Sequence, residues 1–222
     1  MLAIVCPGQG SQTPGFLAPW LELDGTRDLL ASLSDAAGVD LIRHGTESDE
    51  ETIKDTAVAQ PLIVAAGLVA AAALEADAAA PESTVVAGHS VGEVTAAAVT
   101  GVLPPAEALS LVRVRATGMA RAAAATPTGM AAVVGGDQDE VLAAIEAAGL
   151  TPANVNGAGQ IVAAGTAEAL GALAESAPAR ARVIPLKVAG AFHTEHMRPA
   201  VDDLAAHVAD LSPSDPRLPL LS

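Results

Sequence analysis

Cysteine is nearly missing from this sequence: among 222 residues only Cys6 carries a thiol, which excludes an internal disulfide and a metal site built from several cysteines. Cys6 ends the apolar run Leu2-Ala3-Ile4-Val5 and reads as a buried, inert thiol. Positive charge is scarce as well. Lysine and arginine total 11 against 26 acidic residues, a formal net charge of −15, and no basic stripe is present to neutralise phosphates. Nucleic acid is therefore not an expected partner. No run of about 18 strongly apolar residues is evident, because Glu75 and Asp77 interrupt the alanine-rich stretch 64–80, so no membrane span is expected. The first apolar run has no basic segment before it and reads as a strand rather than a signal peptide, so a cytoplasmic protein is expected.

What is present is an alternation of strand-like apolar runs with alanine-rich helical runs, the pattern of an α/β protein with a core large enough for two subdomains. The run Thr84-Val85-Val86-Ala87 enters Gly88-His89-Ser90-Val91-Gly92, a G-x-S-x-G, and Glu93 to Val99 then reads as a helix. This is the pattern of a nucleophile elbow. A serine on a sharp strand-to-helix turn presents its hydroxyl outward, and the flanking glycines remove side chains that would hold strand and helix apart. The following helix points its N-terminal dipole at the serine, favouring negative charge there. Ser90 is the candidate nucleophile.

Taking 104–125 as a helix, Ala108, Leu111, Val112, Ala116 and Met119 form one apolar face, and Arg115 falls among them while Arg113 and Arg121 lie outside it. A guanidinium on a core-facing stripe needs an anionic partner, and its planar fork suits a carboxylate held bidentately. An internal Asp or Glu is one such partner and a substrate carboxylate another. Residues 126–190 carry their own pattern of strand, helix, strand, strand, helix and strand. That βαββαβ order is the ferredoxin-like arrangement.

Near the N-terminus stands Pro7-Gly8-Gln9-Gly10-Ser11-Gln12. It is not a dinucleotide loop, since position 13 is threonine where G-x-G-x-x-G needs glycine. Taken together, P-G-Q-G-S-Q, the later G-H-S-V-G-E, R-V-R at 113–115 and A-F-H at 191–193 closely resemble the malonyl-CoA:acyl carrier protein transacylases of fatty acid synthesis, along the whole chain. Arginine outnumbers lysine nine to two, which with abundant alanine suggests an actinobacterial-like member.

The resemblance implies an α/β-hydrolase-like large subdomain with a parallel sheet, residues 1–125 and 191–222, and a ferredoxin-like small subdomain, 126–190, with the active site in the cleft between them. It implies Ser90 as nucleophile and His193 as base, ahead of His196. The oxyanion hole is assigned to the backbone N–H groups of Val91 and Gln9. Arg115 is assigned to the malonyl carboxylate, while Phe192, Asn156 and His89 line the substrate site, with core packing or a turn as their plainer roles. His44 and His207 lie in polar, exposed-looking segments. No catalytic acid is assigned among Glu195, Asp202 and Asp203.

The expected substrate is malonyl-CoA, the partner an acyl carrier protein and the state a monomer. No metal or redox cofactor is called for, because a thioester arrives already activated. Carrier proteins of this family are acidic, so docking on so acidic a chain needs a local basic patch. Arg180, Arg182, Lys187 and Arg198 are the candidates. The family continues by roughly a third of this length again, so the chain reads as truncated. An esterase or thioesterase, an acyltransferase domain of a polyketide synthase, and an inactive carrier-binding scaffold are the alternatives.

Overall fold

A computed structural model describes residues 2–77, 84–157 and 159–221. They divide into two compact units, residues 1–117 with 203–222, and residues 118–202. The first opens with strand β1 (Leu2–Cys6), a 3-10 turn (Ala18–Glu22) and helices α1 (Thr26–Ala37), α2 (Leu41–Thr46), α3 (Glu50–Lys54) and α4 (Thr56–Asp77). Strand β2 (Thr84–Gly88) and helices α5 (Gly92–Thr100) and α6 (Pro105–Ala125) follow, α6 running on into the second unit. The second unit holds β3 (Thr128–Gly135), α7 (Gln138–Ala147), β4 (Thr151–Asn156), β5 (Gln160–Thr166), α8 (Ala167–Glu175) and β6 (Ala181–Pro185). A second 3-10 turn (Glu195–Met197) leads into α9 (Arg198–Val208), which returns the chain to the first unit and its last strand, β7 (Leu220–Leu221).

Several helices start where a short polar side chain replaces the missing intrahelical acceptor: Asp40, Asp49, Asp137 and Thr166 each accept a backbone N–H from the first turn. At Asp49 the bond from the Thr52 N–H holds the carboxyl below its ordinary range.

In the first unit β1, β2 and β7 form a parallel sheet with β2 in the centre, in the register Leu2↔Thr84 through Cys6↔Gly88 and Val86↔Leu220. The core gathers Leu17, Leu30, Leu41, Leu62, Val86 and Leu109, all shielded from solvent. Ala3, Val5 and Leu221 sit on the other side of the pleat and are exposed. Cys6 is buried, and burial pushes its thiol up, keeping it protonated and inert as its sequence position suggested.

Helix α4 corrects the reading that no segment is long and apolar enough to span a membrane: Thr56–Leu74 passes on length and composition. Counting only strongly apolar residues hides this, because alanine supplies much of the stretch. Leu62, Ile63, Val64, Leu68 and Val69 of the same helix are buried in the core, and a helix enclosed on most sides acquires that composition.

In the second unit the strands run in the order β4-β5-β3-β6, with every neighbouring pair antiparallel. With the βαββαβ chain order this is a ferredoxin-like sheet. On one face Val133, Ile161 and Ala163 pack with Val141 and Ile145 of α7 and Leu173 of α8. On the other, Met130, Val162 and Ala164 pack with Met119, Phe192 and Met197. The units divide within α6 and within α9, rather than after residues 125 and 190, because the end of α6 and the segment 191–200 supply this second cluster.

Candidate active site

Parallel pairing of β1 with β2 brings their carboxyl ends together, Cys6 opposite Gly88, so the loop that follows each strand starts beside the other. Open α/β sheets bind ligands at that end. The His89 N–H donates to the Cys6 carbonyl at 3.0 Å, and a Cβ on Gly8 would lie 3.0 Å from the His89 ring and carbonyl, which presses the first loop against the elbow. His89 is itself exposed.

Ser90 has φ 54°, a left-handed backbone that L-residues adopt only at a cost of about 1–2 kcal/mol. Both flanking glycines are sterically required. A Cβ on Gly88 would overlap the backbone of Gly92 and Glu93, and one on Gly92 would overlap the Cys6 carbonyl oxygen and lie 2.7 Å from that of Pro7. Backbone cannot swing aside as a long side chain can. Gly92→Ala is therefore expected to cost about 3 kcal/mol, read as a lower urea midpoint at unchanged slope; an unchanged midpoint would contradict the packing.

Behind Ser90, Val91 is fully buried and forms the N-cap of α5, so the helix begins directly after the hydroxyl. Arg115, on α6, reaches the same place. Its Nη2 donates to Ser90 Oγ at 3.4 Å, the outer limit of a hydrogen bond, and its Nη1 donates to Gln60 Oε1 at 2.6 Å. Burial lowers the guanidinium pKa and the charge of Glu93 opposes that shift, but an arginine stays protonated regardless. A half-buried cation thus stands against a strained serine hydroxyl. Gln60 in turn donates to Gln9 Oε1, and Gln9 donates to Thr56 Oγ1, each at 3.4 Å.

The first unit therefore gathers Gln9, Ser90, Val91 and Arg115 at one end of its sheet, with His89 at the rim. It adds Gln60, which the sequence reading passed over. The signal was there: Thr56 and Gln60 are polar residues four apart in the otherwise apolar stretch Thr56–Leu74, hence on one face of the helix.

The remaining predicted residues lie in the second unit. His193 is exposed and, like Ser90, left-handed, with φ 61°, so it does not begin a helix; that start falls to Arg198. Its turn is fixed by Thr128 Oγ1 accepting from the Ala191 N–H at 3.0 Å and by Thr194 Oγ1 donating to the Ala191 carbonyl at 2.6 Å. Phe192 is 6% exposed, and its ring packs in the cluster with Met130 and Met197. Asn156 donates to Gln160 Oε1 at 2.8 Å across the β4–β5 hairpin and lines a small cavity with Gly135, Gly136 and Gln138. Two histidines correct the expectation of plain exposure: His44 and His207 are half-buried, within 2.9 Å of Ser48 Oγ and 3.3 Å of Ser110 Oγ.

The sequence profile of the acyl transferase domain matches residues 3–222. The malonyl CoA-acyl carrier protein transacylase of Mycobacterium tuberculosis is 54% identical over 223 positions, spanning 100% of this chain and 74% of its own length. The protein of that name from Escherichia coli K12 is 34% identical over 228 positions, spanning 99% and 73%. The crystal structure of MCAT from Mycobacterium tuberculosis, covered to 74% of its length, matches with a TM-score of 0.97. A malonyl-transacylase solved in complex with its type II polyketide synthase acyl-carrier protein, 30% identical and covered to 73%, matches with 0.90. The chain spans about three quarters of the length of these relatives. With a strained serine between two obligatory glycines, an arginine at its hydroxyl and these similarities along its whole length, the chain belongs to the acyl transferase family, among the malonyl-CoA:acyl carrier protein transacylases.

Proposed function

We propose that this chain moves a malonyl group from malonyl-CoA to the phosphopantetheine thiol of an acyl carrier protein by way of a malonyl ester on Ser90. His193 accepts the Ser90 Oγ proton as that oxygen attacks the thioester carbon. The tetrahedral oxyanion is held by the backbone N–H groups of Val91 and Gln9, and its collapse breaks the C–S bond. CoA leaves with the proton from His193. In the second half His193 deprotonates the carrier thiol, the thiolate attacks the ester, and the Ser90 oxygen departs reprotonated. The reading is cytoplasmic and monomeric, in fatty acid or polyketide chain extension.

The observation that carries it is Arg115 Nη2 at 3.4 Å from Ser90 Oγ. A cation fixed at the nucleophile favours an acyl group bearing a carboxylate. At about 4 Å and an effective dielectric near 20 the attraction is about 4 kcal/mol before desolvation, enough to decide between malonyl and acetyl. A neutral ester gains nothing from it, which disfavours a general esterase.

The test is incubation with malonyl-CoA and a holo acyl carrier protein, reading the carrier's intact mass. A malonyl increment on the carrier is expected. Free CoA and malonate with an unmodified carrier would instead identify a thioesterase and overturn the reading.

For the carrier, Arg180, Arg182 and Lys187 lie exposed on and beside β6, whereas Arg198 is engaged with Glu195 at 3.6 Å. The sign of the salt effect tests them. Repulsion between two acidic proteins makes transfer faster as salt rises; a local basic patch makes it slower. We expect kcat/KM for the carrier to fall about 10-fold from low to high salt, and Arg182→Glu to remove most of that dependence.

A further inference from the structure

Thr56 and Gln60 are almost fully enclosed, 1% and 2% exposed, although both are polar and stand at the start of an apolar core helix. Buried amides are kept where hydrogen bonds satisfy them. Here the bonds have a direction. A guanidinium only donates, so Arg115 compels Gln60 to present Oε1, which it meets at 2.6 Å. The Gln60 amide nitrogen is thereby turned toward Gln9 Oε1, and the Gln9 nitrogen toward Thr56 Oγ1, at 3.4 Å each. One donor-only group thus sets the orientation of two amides in succession. The other end of the same guanidinium faces Ser90. With Nη1 held by Gln60, rotation about the guanidinium axis is blocked, and Nη2 is kept on the side of the nucleophile.

We propose that Gln60 is a positioning residue for acyl selection: it sets the roll of the Arg115 guanidinium and, through that bond, the orientation of the Gln9 side chain in the first loop. Recognition of the acyl carboxylate and arrangement of that loop are then one hydrogen-bonded device mounted on α4. The inference rests on the reading of Arg115 as the carboxylate-binding group.

The experiment measures affinities for malonyl-CoA and acetyl-CoA by calorimetry in a Ser90→Ala background, so that the readout does not depend on turnover. Gln60→Leu, of similar volume, is expected to weaken malonyl-CoA binding about 10-fold while changing acetyl-CoA binding less than about 2-fold. Adding Gln60→Leu to Arg115→Ala is expected to cause no further loss of malonyl preference, because the two act through one group. Gln60→Met keeps the length of the side chain but offers Arg115 no oxygen and Gln9 no donor; it too is expected to lose malonyl preference. It decides the matter if the leucine variant does not fold. Parental preference in a folded Gln60 variant, with the preference lost in Arg115→Ala, overturns the role of Gln60 alone. Parental preference in Arg115→Ala overturns the underlying reading, and this inference with it.

Discussion

Ser90→Gly is expected to yield a protein that unfolds no more easily than the parent, and even a few degrees higher, yet takes no malonyl adduct from malonyl-CoA. Both halves follow from φ 54°. Relief of the left-handed conformation returns about 1–2 kcal/mol, against about 0.5–1 kcal/mol for the added freedom of glycine in the unfolded chain. The variant lacks the oxygen that the proposed mechanism acylates. Intact mass after brief exposure to malonyl-CoA and a thermal melt read the two effects together. An adduct on the glycine variant would move the nucleophile elsewhere, and a markedly lower melting temperature would show that the hydroxyl is structural rather than held under strain for use.

Arg115→Ala has the second large effect, and it is selective. Loss of the proposed charge-assisted contact with the acyl carboxylate is expected to slow malonyl loading about 100- to 1,000-fold, while acetyl loading stays or rises because an uncharged acyl group gains nothing from the guanidinium. The ratio of the two rates is the measurement, since it cancels any general loss of activity. Equal loss of both would make Arg115 a structural cation serving Gln60 and Ser90. Burial lowers the guanidinium pKa, but the group remains charged throughout the range in which a thioester assay can be run, so the malonyl preference should not change with pH on its account.

Much of the local structure was legible because it is set by steric rules acting over a few residues. The G-x-S-x-G spacing has one physical use at a strand-to-helix turn, and the overlap that a Cβ on Gly88 or Gly92 would create is the reason. Arg115 could be found from a 3.6-residue period that places it on the buried side of α6. The βαββαβ order was readable from alternating runs, whereas of the sheet order β4-β5-β3-β6 only the β4–β5 hairpin follows from a short connection, β3 pairing with β5 and β6 across longer ones.

Gln60 is marked in the sequence as a polar residue in an apolar stretch, but its partner is not, because Arg115 lies 55 residues away and nothing in the spacing relates them. The left-handed backbone of His193 is seldom adopted by non-glycine residues, and its turn is tied both locally, by Thr194, and from 63 residues away, by Thr128, a partner the local sequence does not reveal. The apolar length of α4 is a different case: Thr56–Leu74 is legible in the sequence once alanine is counted as apolar, and Glu75 and Asp77 lie beyond it.

By itself the sequence determined the turn at Ser90, the apolar stripe carrying Arg115, the inert burial of Cys6 and the two kinds of sheet, since each depends on backbone sterics or on periodicity within one element. Only the tertiary structure decided that the first loop lies against the elbow, that one guanidinium serves both Gln60 and Ser90, and that Phe192 belongs to a core. Those facts arise from parallel pairing of strands far apart in the chain and from the packing of α4 and α6 beside them, and no local pattern encodes a distance between residues that only folding brings together.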